Sequence, residues 1–441
     1  MPKRVPLPGT DCLPEDILPV ETSQTESNAL SLRAFFYDYC IISTNPNLSR
    51  GFLSGLEMMA YRRGPKCDLV KACQAVSFAT HGKPLNRPQL VHKAGVFYQE
   101  LLGSLAKAIQ DPASTSAAET KLIAMLLGIF QITMSDETNP GNHDAHAKGL
   151  AAFMQIGTSP LNLLGTVRSN QGPHGTANVQ VDKIPSATNA GFSIKQVSGV
   201  FSIPAMRGQG ESLDDLLLSL DSLWKRSESL FASKDLNALR KESIALDQRF
   251  AEWETSRATE FKPTTICNVK QNHSESEIGV GYWPGKIHTY FDLYVAGVWN
   301  VIRTARLLLL ALIFQLSETL GENDSYVEHM HVVNRLVDDM AASIPYHLTD
   351  NLQVFISQRS RNKEVIDPGK YLGGLLLMHP LYVTSEMRFV PERMRTYMRK
   401  CLAWTGSNMG FGQATLLANT PGIDREFLAS GCMIIWSGFL E

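Results

Sequence analysis

From Leu32 to the C-terminal end, apolar residues recur at spacings of three and four, and the two-residue alternation of a half-buried strand is almost missing. A chain patterned this way buries its apolar faces only by packing helix on helix. The expected fold is therefore all-α: a single multi-helix domain of about ten helices. Ser31 to Ile42 carries Leu32, Phe35, Phe36, Tyr39 and Ile42 on one aromatic face and stops at Asn45-Pro46-Asn47. Further helices are expected over Asp68–Thr80 and from Arg87-Pro88 to Ile109. Thr120–Met134 is apolar nearly all round and must be central. After Asn139-Pro140-Gly141 a helix resumes over His143–Ile156. Ser212-x-x-Asp215 reads as a capping box for a leucine-striped helix, and Leu236–Thr255 follows as a charged amphipathic one. The last helices are expected at Ile287–Glu318, Ser325–Ile344, Gly373–Tyr382, Pro391–Met409 and Gln413–Asn419.

Two stretches lack this period. Residues 1–30, rich in Pro, Thr, Ser and acid, read as an extended arm, and residues 157–210, dense in Gly, Ser, Thr, Asn and Pro, as a long irregular insertion. The helical fold is expected to occupy residues 31–441.

Charge and cysteine usage narrow the function. With 41 Lys+Arg against 43 Asp+Glu, the 441 residues carry a net charge of −2, too little for a general attraction to nucleic acid or an anionic membrane. The 7 cysteines never occur as Cys-x-x-Cys, so neither a disulfide framework nor a zinc ribbon is expected, and a cytoplasmic or nuclear location fits. The acidic N-terminal stretch has no apolar core and is not read as a signal peptide. The most apolar run, Leu307 to Phe314, is far shorter than the roughly 20 residues a membrane span needs, so no span is expected and a buried core helix is.

Several strings carry a resemblance. Leu32 to Leu56, the helix from Met125 leading into His146-Ala147-Lys148-Gly149-Leu150, and Tyr294-x-Ala296-x-x-Trp299-Asn300-x-x-Arg303-x-x-Arg306 resemble, in order, the fungal-specific transcription-factor regulatory domain. So do Gly373-Gly374 with His379-Pro380-Leu381-Tyr382 and the closing Met409-Gly410-x-x-Gln413-Ala414. That all-helical region normally follows a binuclear zinc cluster of six closely paired cysteines. Here only Cys12 and Cys40 precede residue 67, and no basic helix accompanies them. The resemblance therefore implies the regulatory fold without a DNA-reading part, and two uses of it. One is a cofactor-free catalyst, comparable to the all-helical fungal hetero-Diels–Alderases of tropolone–sesquiterpene pathways, forming a reactive enone or quinone methide by dehydration and guiding its cycloaddition with a terpenoid. The other is a zinc-cluster-less regulator of a metabolite gene cluster.

The motifs of several chemistries are absent from the sequence: no Gly-x-Ser-x-Gly elbow, no phosphate loop, no His-Glu-x-x-His. His143-x-x-His146 with Asp144 has a metal-like spacing, but His146 fits a packing or capping role better, so no metal and no cofactor are expected. The densest chemistry lies between Tyr282 and Arg306, where rings alternate with charges. His379, Arg303 and His288 are the candidate catalytic groups, as donors or acid–base groups for a ligand oxygen. Tyr290, Tyr294, Trp299, Tyr382 and Trp283 are the candidate substrate-binding rings. The expected partners are apolar small molecules, terpenoid or polyketide-derived, with no DNA binding by this chain alone and a homodimer left open. Against this stands the structural reading, in which Trp299 is core and the two arginines pair with acids or cap a neighbouring helix.

Overall fold

The computed structural model describes residues 24–110, 118–136, 138–139, 141, 145–148, 211–230, 235–270, 278–322, 325–358, 365, 367–423, 431–432 and 434–436. Almost all of the regular structure among them is helical, as the periodicity demands. In order, the helices are α1 (Gln24–Tyr39), α2 (Leu56–Arg63), α3 (Asp68–Gly82), α4 (Pro88–Gln110), α5 (Ala118–Met134), α6 (Leu213–Leu230) and α7 (Leu236–Ser256). After a hairpin come α8 (Leu293–Leu320), α9 (Tyr326–Leu348), α10 (Leu352–Gln358), α11 (Tyr371–Glu386), α12 (Glu392–Met409) and α13 (Gly412–Asn419). The insertion expected at 157–210 and the His143/Asp144 pair lie outside the described residues. Helix α1 begins at Gln24, inside the stretch expected to be an extended arm.

Helix α8 is the axle. It packs on α7, α9 and α11 and touches α6. By length and composition it could cross a membrane, yet 89% of its most apolar window is buried inside the protein, so its apolar surface is spent on the core. Around it α3 packs on α1, α4 and α5, while α12 joins α11 to α13 and α13 closes against α5.

Local chemistry accounts for several boundaries. Ser212 Oγ accepts from the Asp215 amide at 3.1 Å and donates to the Asp215 carboxylate at 2.6 Å, the reciprocal contact that starts α6. The Asp292 carboxylate accepts from the Val295 amide at 3.0 Å and so caps α8, and Gly321, at φ +70°, ends it in the left-handed conformation.

Two expectations are corrected. The helix expected from Ile287 begins only at Leu293, because Gly285–Thr289 forms strand β2, paired antiparallel with β1 (Thr264–Val269) across a bulge between Thr265 and Cys267. The helix expected to stop at Ile344 runs through Pro345 to Leu348. A proline in the last turn removes one backbone donor and leaves the turn otherwise intact.

Candidate functional site

Two arginines stand one turn apart on α8, each 2% exposed, and the fold treats them differently. Arg306 meets α7: its Nε and Nη2 donate to the two Asp247 oxygens at 2.8 and 2.9 Å, and its Nη1 donates to Glu254 at 3.0 Å. Arg335 of α9 also reaches Glu254, at 3.1 Å, so carboxylates and guanidinia alternate across three helices. Here the structural reading of the sequence holds.

Arg303 meets only neutral acceptors. Its Nη1 donates to the Tyr290 hydroxyl at 3.0 Å and to Asn300 Oδ1 at 2.8 Å, and no carboxylate among the described residues lies within ion-pair distance. The Trp299 and Tyr290 ring centres are 5.9 and 6.0 Å from its Cζ, and these contacts replace only part of the hydration a guanidinium loses on burial.

A polar chain continues from Asn300 into α9 and α11. Asn300 Nδ2 donates to Ser343 Oγ at 3.0 Å and lies 3.1 Å from His347 Nε2. His347 Nδ1 is 3.2 Å from the Gly373 carbonyl, to which it can only donate, and in the neutral ring that leaves Nε2 to accept from Asn300. Burial holds the His347 pKa down at about 3, and the nearby Arg303 charge acts the same way.

His288 closes the cluster from the hairpin. Ile287 and His288 are both buried although successive residues of a strand point to opposite faces, so both faces of β2 are covered here. The His288 ring sits edge-on to Tyr290, 6.3 Å between centres. Burial first, then the Arg303 charge, hold its pKa down at about 4, against the pull of Asp339, whose carboxylate is 4.0 Å from Nε2. His288 Nδ1 is buried and makes no hydrogen bond with the described residues.

These depressed values set a pH dependence. In the unfolded chain both histidines titrate near their ordinary ~6.5, while in the fold they stay neutral to about pH 4 or below. Below pH ~6.5 the unfolded state therefore takes up protons that the folded state refuses. Stability should be highest above pH ~6.5 and fall toward pH 4, by up to about 1.4 kcal/mol per pH unit for each histidine. Thermal melts across that range should show the slope, and His347→Gln should flatten it; an unchanged slope in the variant would contradict this account.

The structure thus brings Arg303, His288 and Tyr290 together, with Trp299 beside them. It does not bring in the others. Trp299 itself is held from α7 and the turn after it, with its indole N–H donating to the Phe261 carbonyl at 2.8 Å and its ring edge-on to Trp253. Tyr294 is fully buried beside Arg50, Asp214 and Asp292. It lies nine residues before Arg303, which puts it on the opposite face of α8. Trp283 packs at a tilt against Tyr397, with Arg393 over its ring. Tyr382 accepts from the Ile423 amide at 2.9 Å, and burial pushes its pKa up to about 12. His379, on the same helix as Tyr382, packs against Gly431 beside Gln413. The metal-like spacing at His143-x-x-His146 lies partly outside the described residues, and His146 packs against Tyr98, 3.2 Å from its hydroxyl.

Asn300, Ser343, His347 and Tyr346, whose hydroxyl donates to the Tyr290 carbonyl at 3.2 Å, were not anticipated as members. Asn300 was visible, three residues before Arg303 and on its face of the helix. His347 was not, because it lies beyond Pro345, where the helix was expected to have stopped.

No family model matches the chain, and no solved structure matches it. Among curated proteins it is similar to "Transcription factor dbaG" of Emericella nidulans, 42% identical over 435 residues, an alignment that covers 97% of this chain and 100% of the relative.

Proposed function

This chain belongs to the family of the fungal transcription factor dbaG, and from that premise we propose that it regulates transcription of a metabolite gene cluster, in the nucleus, in response to a small molecule. The observation that supports this most is that the kinship runs the length of both chains, so it includes the helical body and is not confined to one motif. With a net charge of −2 and no paired-cysteine motif, the chain reaches promoters through a DNA-binding partner. Deleting the gene should lower transcripts across one cluster, and a tagged copy should co-precipitate that cluster's promoters. Unchanged transcripts together with accumulation of one intermediate would overturn this reading.

One observation favours a second reading, the cofactor-free hetero-Diels–Alderase. Arg303, His288 and Tyr290 meet in a water-poor setting where a donor could polarise a ligand oxygen. Catalysis predicts that purified protein changes the rate and stereochemistry of product formation from pathway intermediates. Product ratios identical to those in buffer would remove it.

A further inference from the structure

We propose that Arg303 is the receptor for the carboxylate of an aromatic small molecule, held between the β1–β2 hairpin, α8 and α9. Calling that molecule an effector rests on the regulatory reading above; its binding does not.

The case begins with the unequal treatment of two equally buried cations. Arg306 uses Nε, Nη1 and Nη2 on two carboxylates, whereas Arg303 uses Nη1 alone, on a phenol and an amide. The Nε and Nη2 of Arg303 take part in no hydrogen bond with the described residues, which leaves the edge of the fork that could hold a carboxylate in bidentate fashion. A second polar group in the cluster is also unanswered: His288, 4% exposed, has a buried Nδ1 without a hydrogen-bond partner. His288 and His347 are both held neutral, so neither adds a competing positive charge, and neither can supply the anion that Arg303 lacks. One carboxylate would answer the Arg303 charge, while the opposed charges of Asp339 and Lys286 both act on His288. The ligand's body is specified by the rings near the cation, Tyr290 and Trp299, with Tyr346 5.3 Å from Tyr290. Flat aromatic surface suits such neighbours.

The test uses the full chain and 2-naphthoate as probe, with uncharged 2-naphthamide and inorganic phosphate as comparisons, read by calorimetry and thermal shift. Naphthoate should bind and raise the melting temperature. The amide should bind at least tenfold more weakly, and phosphate should give no shift. Arg303→Gln keeps a donor for Tyr290 and Asn300 while removing the charge; it should fold and lose naphthoate binding at least tenfold. Equal binding of naphthoate and naphthamide by the unaltered protein would overturn the proposal without recourse to any variant. So would undiminished naphthoate binding by Arg303→Gln, or no binding of any aryl carboxylate at millimolar concentration. None of these readouts depends on transcription, so failure of the regulatory reading would show in transcripts while naphthoate binding stood.

Discussion

Arg306→Met should lower stability by about 3–5 kcal/mol, measured as the shift in denaturant midpoint followed by helix signal. The size comes from what the substitution leaves behind. Asp247 and Glu254 are mostly buried, and Arg306 donates three hydrogen bonds to them. Without it, Asp247 loses both of these bonds, and Glu254 keeps only the half-exposed Arg335, through the same Oε2, while its Oε1 has no hydrogen-bond partner among the described residues. Two carboxylates would then share a low-dielectric space without the cation that answers both. Replacing all three groups together, by Arg306→Met, Asp247→Leu and Glu254→Met, should recover most of the stability, because no buried charge is then orphaned. If the single substitution cost less than about 1 kcal/mol, the network would have to be reached by water, contrary to its burial.

Gly373→Ala should be about as damaging, at roughly 3 kcal/mol or more, or should prevent soluble folding. A Cβ on Gly373 would stand 1.9 Å from the His347 carbonyl oxygen and 2.9 Å from its carbon. Those are backbone atoms of α9, so no side chain can swing aside, and α9 and α11 would have to separate. The same glycine's carbonyl is the one that His347 Nδ1 reaches, so the separation would also break the chain through Asn300 to Arg303. Gly103→Ala is the control. It lies inside α4 with nothing within 4 Å of the added methyl, and it should raise stability by about 0.5–1 kcal/mol. Equal melting of the two variants would mean that the close approach of α9 to α11 is not a constraint.

Much of the fold was legible in order and in kind. The helices at 68–82, 88–110, 236–256, 371–386, 392–409 and 412–419 appear within a few residues of where apolar spacing, prolines and caps place them. The N-cap half of the box expected at Ser212 is formed, its hydroxyl accepting from the Asp215 amide. The missed strand has a non-local cause. Strand β2 has five residues and is stable only because Thr264–Val269, far back in the chain, pairs with it and α9 covers it. No local window contains that partner.

The candidate site divides along the same line. Sequence alone determined that a core helix, expected over Ile287–Glu318, carries Trp299, Asn300, Arg303 and Arg306 close together, because helical periodicity and side-chain spacing are properties of neighbours. Nothing local distinguishes Arg303 from Arg306. Tertiary structure alone decided that Arg306 meets Asp247 and Glu254, 59 and 52 positions away, while Arg303 turns to a phenol, an amide and two neutral histidines. Tertiary structure also gave Trp283, Tyr382 and His379 other neighbours, Tyr397, Ile423 and Gly431, whereas helical spacing alone set Tyr294 on the opposite face of α8. The physical reason is that the energy of a buried charge depends on which groups other segments bring to it and how much water they exclude, and neither quantity exists until the helices have packed.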